Sequence, residues 1–144
     1  MYGFVGRIVG DKGVNELISA FKRLNDKYVN IKLILVGEFE HKLDPLKMET
    51  LKEIKENPNI IELGYQTDVA KYYSIMNIFV SPSYREGFGL TLIEANVVGL
   101  PVIASKIIGY SEIVKDGVNG FFVEPSDEDS LFQKMEWVYL NNDS

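Results

Sequence analysis

Two hydrophobic patterns alternate along the chain. Short apolar runs typical of buried strands are separated by longer segments with apolar residues at helical spacing, such as Leu17, Phe21 and Leu24. The predicted strands cover residues 2–6, 31–36, 60–63, 78–80, 101–104 and 121–123. The predicted helices cover residues 15–24, 43–55, 69–76, 90–98, 111–114 and 127–140.

Strands that alternate with helices in this way form βαβ units and a parallel sheet. The predicted fold class is therefore α/β: a Rossmann-like, three-layer domain with a roughly six-stranded parallel sheet. The length of 144 residues fits one domain over residues 1–144. Ligands of such sheets bind beyond the carboxyl ends of the strands, which here are the loops after Gly6, Gly37, Gly64 and Ser81.

Composition and charge narrow the possible partners. The chain has no cysteine, which excludes disulfides and thiolate metal sites. Residues 1–106 hold thirteen basic and thirteen acidic residues, whereas residues 107–144 hold two and eight, which accounts for the net charge of −6. No basic stripe appears, so we expect no nucleic-acid partner. No window is long and apolar enough for a membrane span, and no secretory leader is recognisable, so we expect a cytoplasmic location.

The most informative stretch is residues 85–94, where Glu86 and Glu94 bracket a glycine-containing turn that opens into an apolar helix. A strand, a glycine loop and a helix N-terminus together present backbone N–H groups to anions. With a helix beginning near Gly87, the two carboxylates would lie about two turns, or roughly 12 Å, apart. That separation argues against a shared proton or a metal cluster. It suits one elongated ligand with phosphate and hydroxyl groups, and a nucleotide-sugar has both.

Roles for this stretch follow from that ligand. Glu94 would accept hydrogen bonds from a vicinal diol such as ribose, and Glu86 would bind the sugar at the other end. The N–H groups of Phe88, Gly89 and Leu90 would face the diphosphate. The alternative is that Glu86 complements a helix dipole and Glu94 faces solvent. Glu94 lies in an apolar run that we expect to be mostly buried, and a buried carboxylate needs a partner.

The first loop offers two cations, Arg7 and Lys12, near the end of the first strand. Its glycines, Gly6, Gly10 and Gly13, match neither GxGxxG nor the P-loop pattern. A guanidinium fork and an ammonium point charge suit two neighbouring phosphate groups. The alternative is that Arg7 and Lys12 are ordinary surface residues that bind no ligand.

Taken together, these residues identify a family resemblance. The whole chain resembles the C-terminal, donor-binding domain of GT-B glycosyltransferases of family 4, the glycosyl transferases group 1. Glu86 and Glu94 form the E-x7-E pattern of that family. The matching segments are Val5-Gly6-Arg7 with Lys12-Gly13, Leu35-Val36-Gly37, Leu63-Gly64-Tyr65, Ser81-Pro82-Ser83 with Glu86-Gly87-Phe88-Gly89, Glu94-Ala95, and Gly99-Leu100-Pro101-Val102-Ile103-Ala104-Ser105.

The resemblance implies a role for each matching position. Gly6, Arg7 and Lys12 would contact the donor diphosphate, and the two cations would stabilise it as it leaves. Glu86 would lie near the donor sugar as a third catalytic residue, Glu94 would bind the ribose, and Tyr65 would line the base. The resemblance also implies retention of anomeric configuration, with a nucleotide-sugar such as a UDP- or GDP-sugar as substrate, no cofactor and no metal.

The family further implies a longer enzyme with an N-terminal domain that binds a glycan or lipid-linked acceptor and that is missing here. Surface glycan biosynthesis and possible membrane association of the full-length protein follow from the same resemblance. We expect the fragment alone to be inactive. Two alternatives stay open: a non-catalytic nucleotide-sugar-binding module, and a related GT-B enzyme such as an epimerase. The presence of Arg7, Lys12, Glu86 and Glu94 together favours the transferase.

Overall fold

The computed structural model describes residues 1–86 and 88–141. Its strands are β1 (Tyr2–Val5), β2 (Leu33–Val36), β3 (Ile60–Gly64), β4 (Ile78–Ser81), β5 (Val102–Ser105) and β6 (Gly120–Val123). Its helices are α1 (Val14–Lys27), α2 (Met48–Glu56), α3 (Ala70–Tyr73), α4 (Leu90–Val97), α5 (Ile108–Ser111) and α6 (Glu128–Leu140). A 3-10 turn, Gly10–Lys12, precedes α1.

The six strands form one parallel sheet in the order β3-β2-β1-β4-β5-β6. The chain builds outward from β1 to β3, then crosses back and continues from β4 to β6 on the other side of β1. The direction of winding therefore reverses between β1 and β4. At such a switch point the loops after the two strands diverge to opposite faces and leave a crevice for a ligand.

Helices cover both faces of the sheet, because successive strand residues point to opposite sides. On one face, Leu33 and Leu35 of β2 pack in a core with buried residues of α1, α2 and α6. On the other face, Ile34 and Val36 join a core with buried residues of α3, α4 and α5. The predicted Rossmann-like, three-layer α/β fold with six parallel strands is confirmed.

Four helix predictions were wrong in their bounds by more than one residue. The predicted helix 15–24 is longer, at Val14–Lys27, and the predicted helix 69–76 is shorter, at Ala70–Tyr73. The predicted helix 43–55 begins only at Met48, because Asp44 has a left-handed φ of 51° and is followed by a proline. The predicted helical turn 111–114 is instead α5, which occupies Ile108–Ser111. None of the helices in the described part of the chain has both the length and the apolarity that crossing a membrane requires.

Candidate functional site

The loops after β1 and β4 start side by side at the switch point, and backbone contacts join them before they continue to opposite faces of the sheet. Gly13 packs so closely on this second loop that a Cβ added to it would lie 2.0 Å from the carbonyl oxygen of Pro82. The N–H of Tyr84 donates to the carbonyl of Asp11 at 2.9 Å. Gly13 also has a φ of 77°, which favours glycine. Local backbone chemistry therefore sets the distance between the two loops.

Lys12 and Glu86, one from each loop, form an ion pair across the switch point. Their side chains are 20% and 18% exposed, so solvent screens the pair only in part. The hydroxyl of Ser83 donates to the same Glu86 oxygen, Oε2, at 3.0 Å. The structure thus brings two of the three predicted catalytic residues into direct contact.

Tyr84 ties the second loop to α1. Its hydroxyl donates to Oε2 of Glu16 at 2.5 Å. Burial, together with the hydrogen bond to Glu16, raises the pKa of Tyr84 to about 12. The side chain therefore stays neutral and keeps donating at physiological pH. This contact holds the segment that carries Glu86 against the helix that follows Lys12.

Glu94 is exposed, which corrects the expectation of a buried carboxylate. It lies on the solvent side of α4, while Leu92 and Ala95 face the core. The hydroxyl of Tyr73 reaches Oε1 of Glu94 at 3.2 Å and the carbonyl of Thr91 at 3.3 Å. Burial, and then the charge of Glu94, raises the pKa of Tyr73. Glu94 thus has a partner and also faces solvent, where a ligand can reach it.

The helix after the glycine loop begins at Leu90, with Gly89 as its N-cap, and not near Gly87, which lies outside the described residues. Glu86 therefore precedes α4, and the helical rise does not give its distance from Glu94. Gly89 is buried, whereas Phe88 and Leu90 are among the exposed residues.

The remaining predicted residues lie on open surface at the carboxyl edge of the sheet. Arg7 is exposed and, within the described chain, takes part in no ion pair. Gly6 directly follows β1 and donates its N–H to the carbonyl of Val36 at 2.9 Å. Tyr65 directly follows β3 and is 71% exposed. The geometry places Lys12 and Glu86 together and leaves Arg7 and Tyr65 as separate exposed groups at the same edge.

Sequence reasoning missed the residues that hold the site. Ser83 appeared only as part of a matching segment, and Tyr73 and Glu16 gave no signal, because their partners are distant along the chain. Among residues 1–86 and 88–141, no group of acidic and histidine side chains is arranged to hold a metal ion. Two concavities in this part of the chain lie away from Lys12 and Glu86, one between α1 and α2 and the other at the amino edge around Met76 and Leu100. The candidate site is the carboxyl edge of the sheet that carries Arg7, Lys12, Tyr65 and Glu86. We call it the shelf, because Arg7 and Tyr65 lie exposed on it.

A doubly wound parallel α/β domain with charged residues gathered at its switch point belongs to a class that binds ligands at that point. The model of the family "Glycosyl transferases group 1" matches residues 1–144, and the chain belongs to this family. One relative is the capsular polysaccharide biosynthesis glycosyltransferase CapM of Staphylococcus aureus, 37% identical over 142 residues. The match covers 99% of this chain but 37% of CapM, so the chain spans little more than a third of that relative.

Solved structures give the same assignment. Anabaena HepE in complex with UDP superimposes with a TM-score of 0.86 at 26% identity, over 99% of this chain and 39% of HepE. The C-terminal domain of LpcC, a glycosyl transferase group 1 family protein from Francisella tularensis, gives a TM-score of 0.85 at 31% identity. That match covers 96% of this chain and 74% of the solved domain. The resemblance to C-terminal domains of GT-B glycosyltransferases is therefore confirmed.

Proposed function

We propose that this chain is the donor-binding part of a retaining glycosyltransferase that transfers a sugar from a nucleotide-sugar to an acceptor in surface glycan biosynthesis. The observation that carries the proposal is the Lys12–Glu86 pair at the switch point, on the same edge as exposed Arg7. The cation would bind a diphosphate, and the carboxylate would bind a sugar hydroxyl. The names of CapM and of the HepE complexes with UDP and with UDP-glucose support this choice of ligand.

The cations act on the leaving group in this proposal. As the bond between the sugar and the diphosphate breaks, negative charge grows on the diphosphate. Arg7 and Lys12 stabilise that charge, and fixed charges that match a developing charge are often the largest single contribution to catalysis. Gly6 and the N–H groups of Phe88, Gly89 and Leu90 would complete the phosphate contacts.

The other contacts select the donor. Glu94 accepts hydrogen bonds from the ribose diol, with Tyr73 orienting the carboxylate through Oε1. Tyr65 lines the base with its exposed ring. Glu86 accepts from a hydroxyl of the sugar. The acceptor, glycan or lipid-linked, would bind a part of the longer protein outside this chain.

The experiment is a calorimetric titration of the chain with UDP, GDP and ADP, repeated on Arg7→Ala and Glu94→Ala. We expect one nucleotide to bind, and both variants to weaken that binding at least about tenfold, as for the loss of a charge-assisted hydrogen bond. Lys22→Ala is the matched control, because Lys22 is an exposed cation on α1 away from the shelf. Absence of binding by all three nucleotides at millimolar concentration, or undiminished binding in both variants, would refute the proposed site.

A further inference from the structure

A row of buried hydroxyl groups lies beneath Glu86. The hydroxyls of Ser81 and Tyr110 are 2.5 Å apart, and both residues are buried. Ser83 is also buried, and its hydroxyl donates to Oε2 of Glu86. Burial raises the pKa of Tyr110, and the hydrogen bond with Ser81 opposes that rise. Two hydrogen-bonded pairs, Ser81 with Tyr110 and Ser83 with Glu86, therefore lie at the end of β4.

The chemistry of Glu86 sets the direction of its hydrogen bond with Ser83. An ionised carboxylate only accepts hydrogen bonds, so Ser83 must donate to Glu86. A hydrogen bond that is partly shielded from water is stronger than one in open solvent. The arrangement holds the carboxylate in one orientation.

The backbone of Glu86 is held from the same side. A Cβ added to Gly109 would lie 2.5 Å from the carbonyl oxygen of Glu86, so α5 packs directly on this residue. The ring of Tyr110 packs on Gly89 with similar closeness, 2.8 Å from an added Cβ. Two consecutive residues of α5 thus contact the backbone of Glu86 and the start of α4.

The two oxygens of the Glu86 carboxylate differ in their surroundings. Both Lys12 and Ser83 donate to Oε2. Within the described residues, no hydrogen bond reaches Oε1. A carboxylate fixed through one oxygen presents the other to a ligand.

We propose that Ser83 is a positioning residue that orients Glu86 so that its Oε1 accepts a hydrogen bond from the donor sugar. The inference rests on the proposed function and adds how its sugar-binding carboxylate is held. Ser83 does not touch the ligand, since it is buried. Its effect must therefore appear in sugar recognition and be absent from diphosphate recognition.

The first test compares UDP with UDP-glucose by calorimetry for the unmodified chain and Ser83→Ala. We expect the variant to keep its affinity for UDP and to bind UDP-glucose about tenfold more weakly, the usual effect of losing one hydrogen bond to a charged group. Tyr2→Phe is the matched control, because it removes a different buried hydroxyl, which donates to the carbonyl of Met135 on the other face of the sheet. Equal loss of both ligands would mean a merely structural role and would overturn the inference.

A ligand-free crystal structure of Ser83→Ala separates this inference from the proposed function. We expect the Glu86 carboxylate to rotate away from its present orientation, whereas in Tyr2→Phe it keeps that orientation. An unmodified chain that binds neither UDP nor UDP-glucose refutes the proposed function and with it the sugar contact. The positioning of Glu86 is then decided by the crystal structure alone, and an unmoved carboxylate in Ser83→Ala overturns it.

Discussion

Three glutamates near the shelf have different partners, and the partner decides what each can do. Glu16 accepts from Tyr84, and its other oxygen is buried with no partner among the described residues. Glu94 is exposed and accepts from Tyr73. Glu86 alone of the three is paired with a cation, Lys12. A phosphate that approaches Lys12 must compete with a carboxylate already in place.

That competition gives a prediction at the residue scale: Glu86→Gln tightens the binding of UDP. The variant removes a negative charge from beside Lys12 and leaves the ammonium group free to bind phosphate. A partly exposed ion pair contributes up to about 1 kcal/mol, so we expect an increase in affinity of up to about fivefold. Calorimetry with UDP measures it, and Lys12→Gln is the paired variant, in which affinity must fall. A weaker UDP complex in Glu86→Gln would show that the pair does not oppose binding.

Elements as a whole differ in how far their sequence reveals them. The strands β2 and β4 were predictable, because strands buried on both faces appear as continuous apolar runs. The exposure of Glu94 was not predictable, since α4 is apolar on its solvent side as well. Leu90, Ile93 and Val97 are all exposed there, so an apolar run did not mean a buried one.

Contacts between elements were even less accessible to prediction. The hydrogen bond between Tyr84 and Glu16 joins residues 68 positions apart, and Ser81 and Tyr110 are 29 positions apart. Periodicity describes one element at a time and contains no information on which loop meets which. The sheet order supplies that information, because it puts β1 beside β4.

At the element scale, Gly13→Ala tests the junction between the two loops. The new methyl group would clash with the Pro82 carbonyl, which belongs to backbone and cannot move cheaply. Gly117→Ala is the control, because Gly117 has a similar φ of 80° but nothing within 4 Å of an added Cβ. We expect about 1 kcal/mol of destabilisation in Gly117→Ala from backbone strain alone. Gly13→Ala should lose at least about 1 kcal/mol more in urea unfolding, along with UDP affinity. Equal losses would mean that the loops separate without penalty.

Stability of the whole molecule should fall at alkaline pH because several tyrosines are held neutral. Tyr84 has a folded-state pKa of about 12, above the ordinary 10, and burial also raises the pKa values of Tyr2, Tyr73 and Tyr110. A tyrosine whose pKa is higher in the folded state than in the unfolded state stabilises the folded state. This contribution is fully present below pH 10 and is lost as the pH rises through the folded-state pKa.

The corresponding measurement is urea unfolding between pH 8 and pH 12. We expect the free energy of unfolding to decline above pH 10, and to decline less steeply in Tyr84→Phe. At pH 8 that variant should be less stable by about 1–2 kcal/mol, because Glu16 loses its hydrogen-bond donor. An unchanged slope in Tyr84→Phe would mean that Tyr84 titrates alike in the folded and unfolded states.

The exposure of the shelf leads to a prediction about turnover. Phe88 is 87% exposed and Ile108 is 93% exposed, and Arg7 and Tyr65 also face open solvent. Transfer requires an acceptor hydroxyl held beside the reacting carbon of the sugar and water kept away from that carbon. An open shelf provides neither, and this chain spans only 37% of the length of CapM. We therefore expect the chain to bind a nucleotide-sugar and to transfer no sugar by itself.

A UDP-release assay with UDP-glucose and a panel of glycan and lipid-linked acceptors measures this directly. Binding without acceptor-dependent release is the expected result, with calorimetry on the same preparation showing that the shelf is occupied. Acceptor-dependent release that disappears in Arg7→Ala would contradict it. Such release would mean that the exposed groups at the carboxyl edge assemble an acceptor site on their own. If the prediction holds, the same assay on a longer protein that includes this domain should show release that depends on Arg7, Lys12 and Glu86.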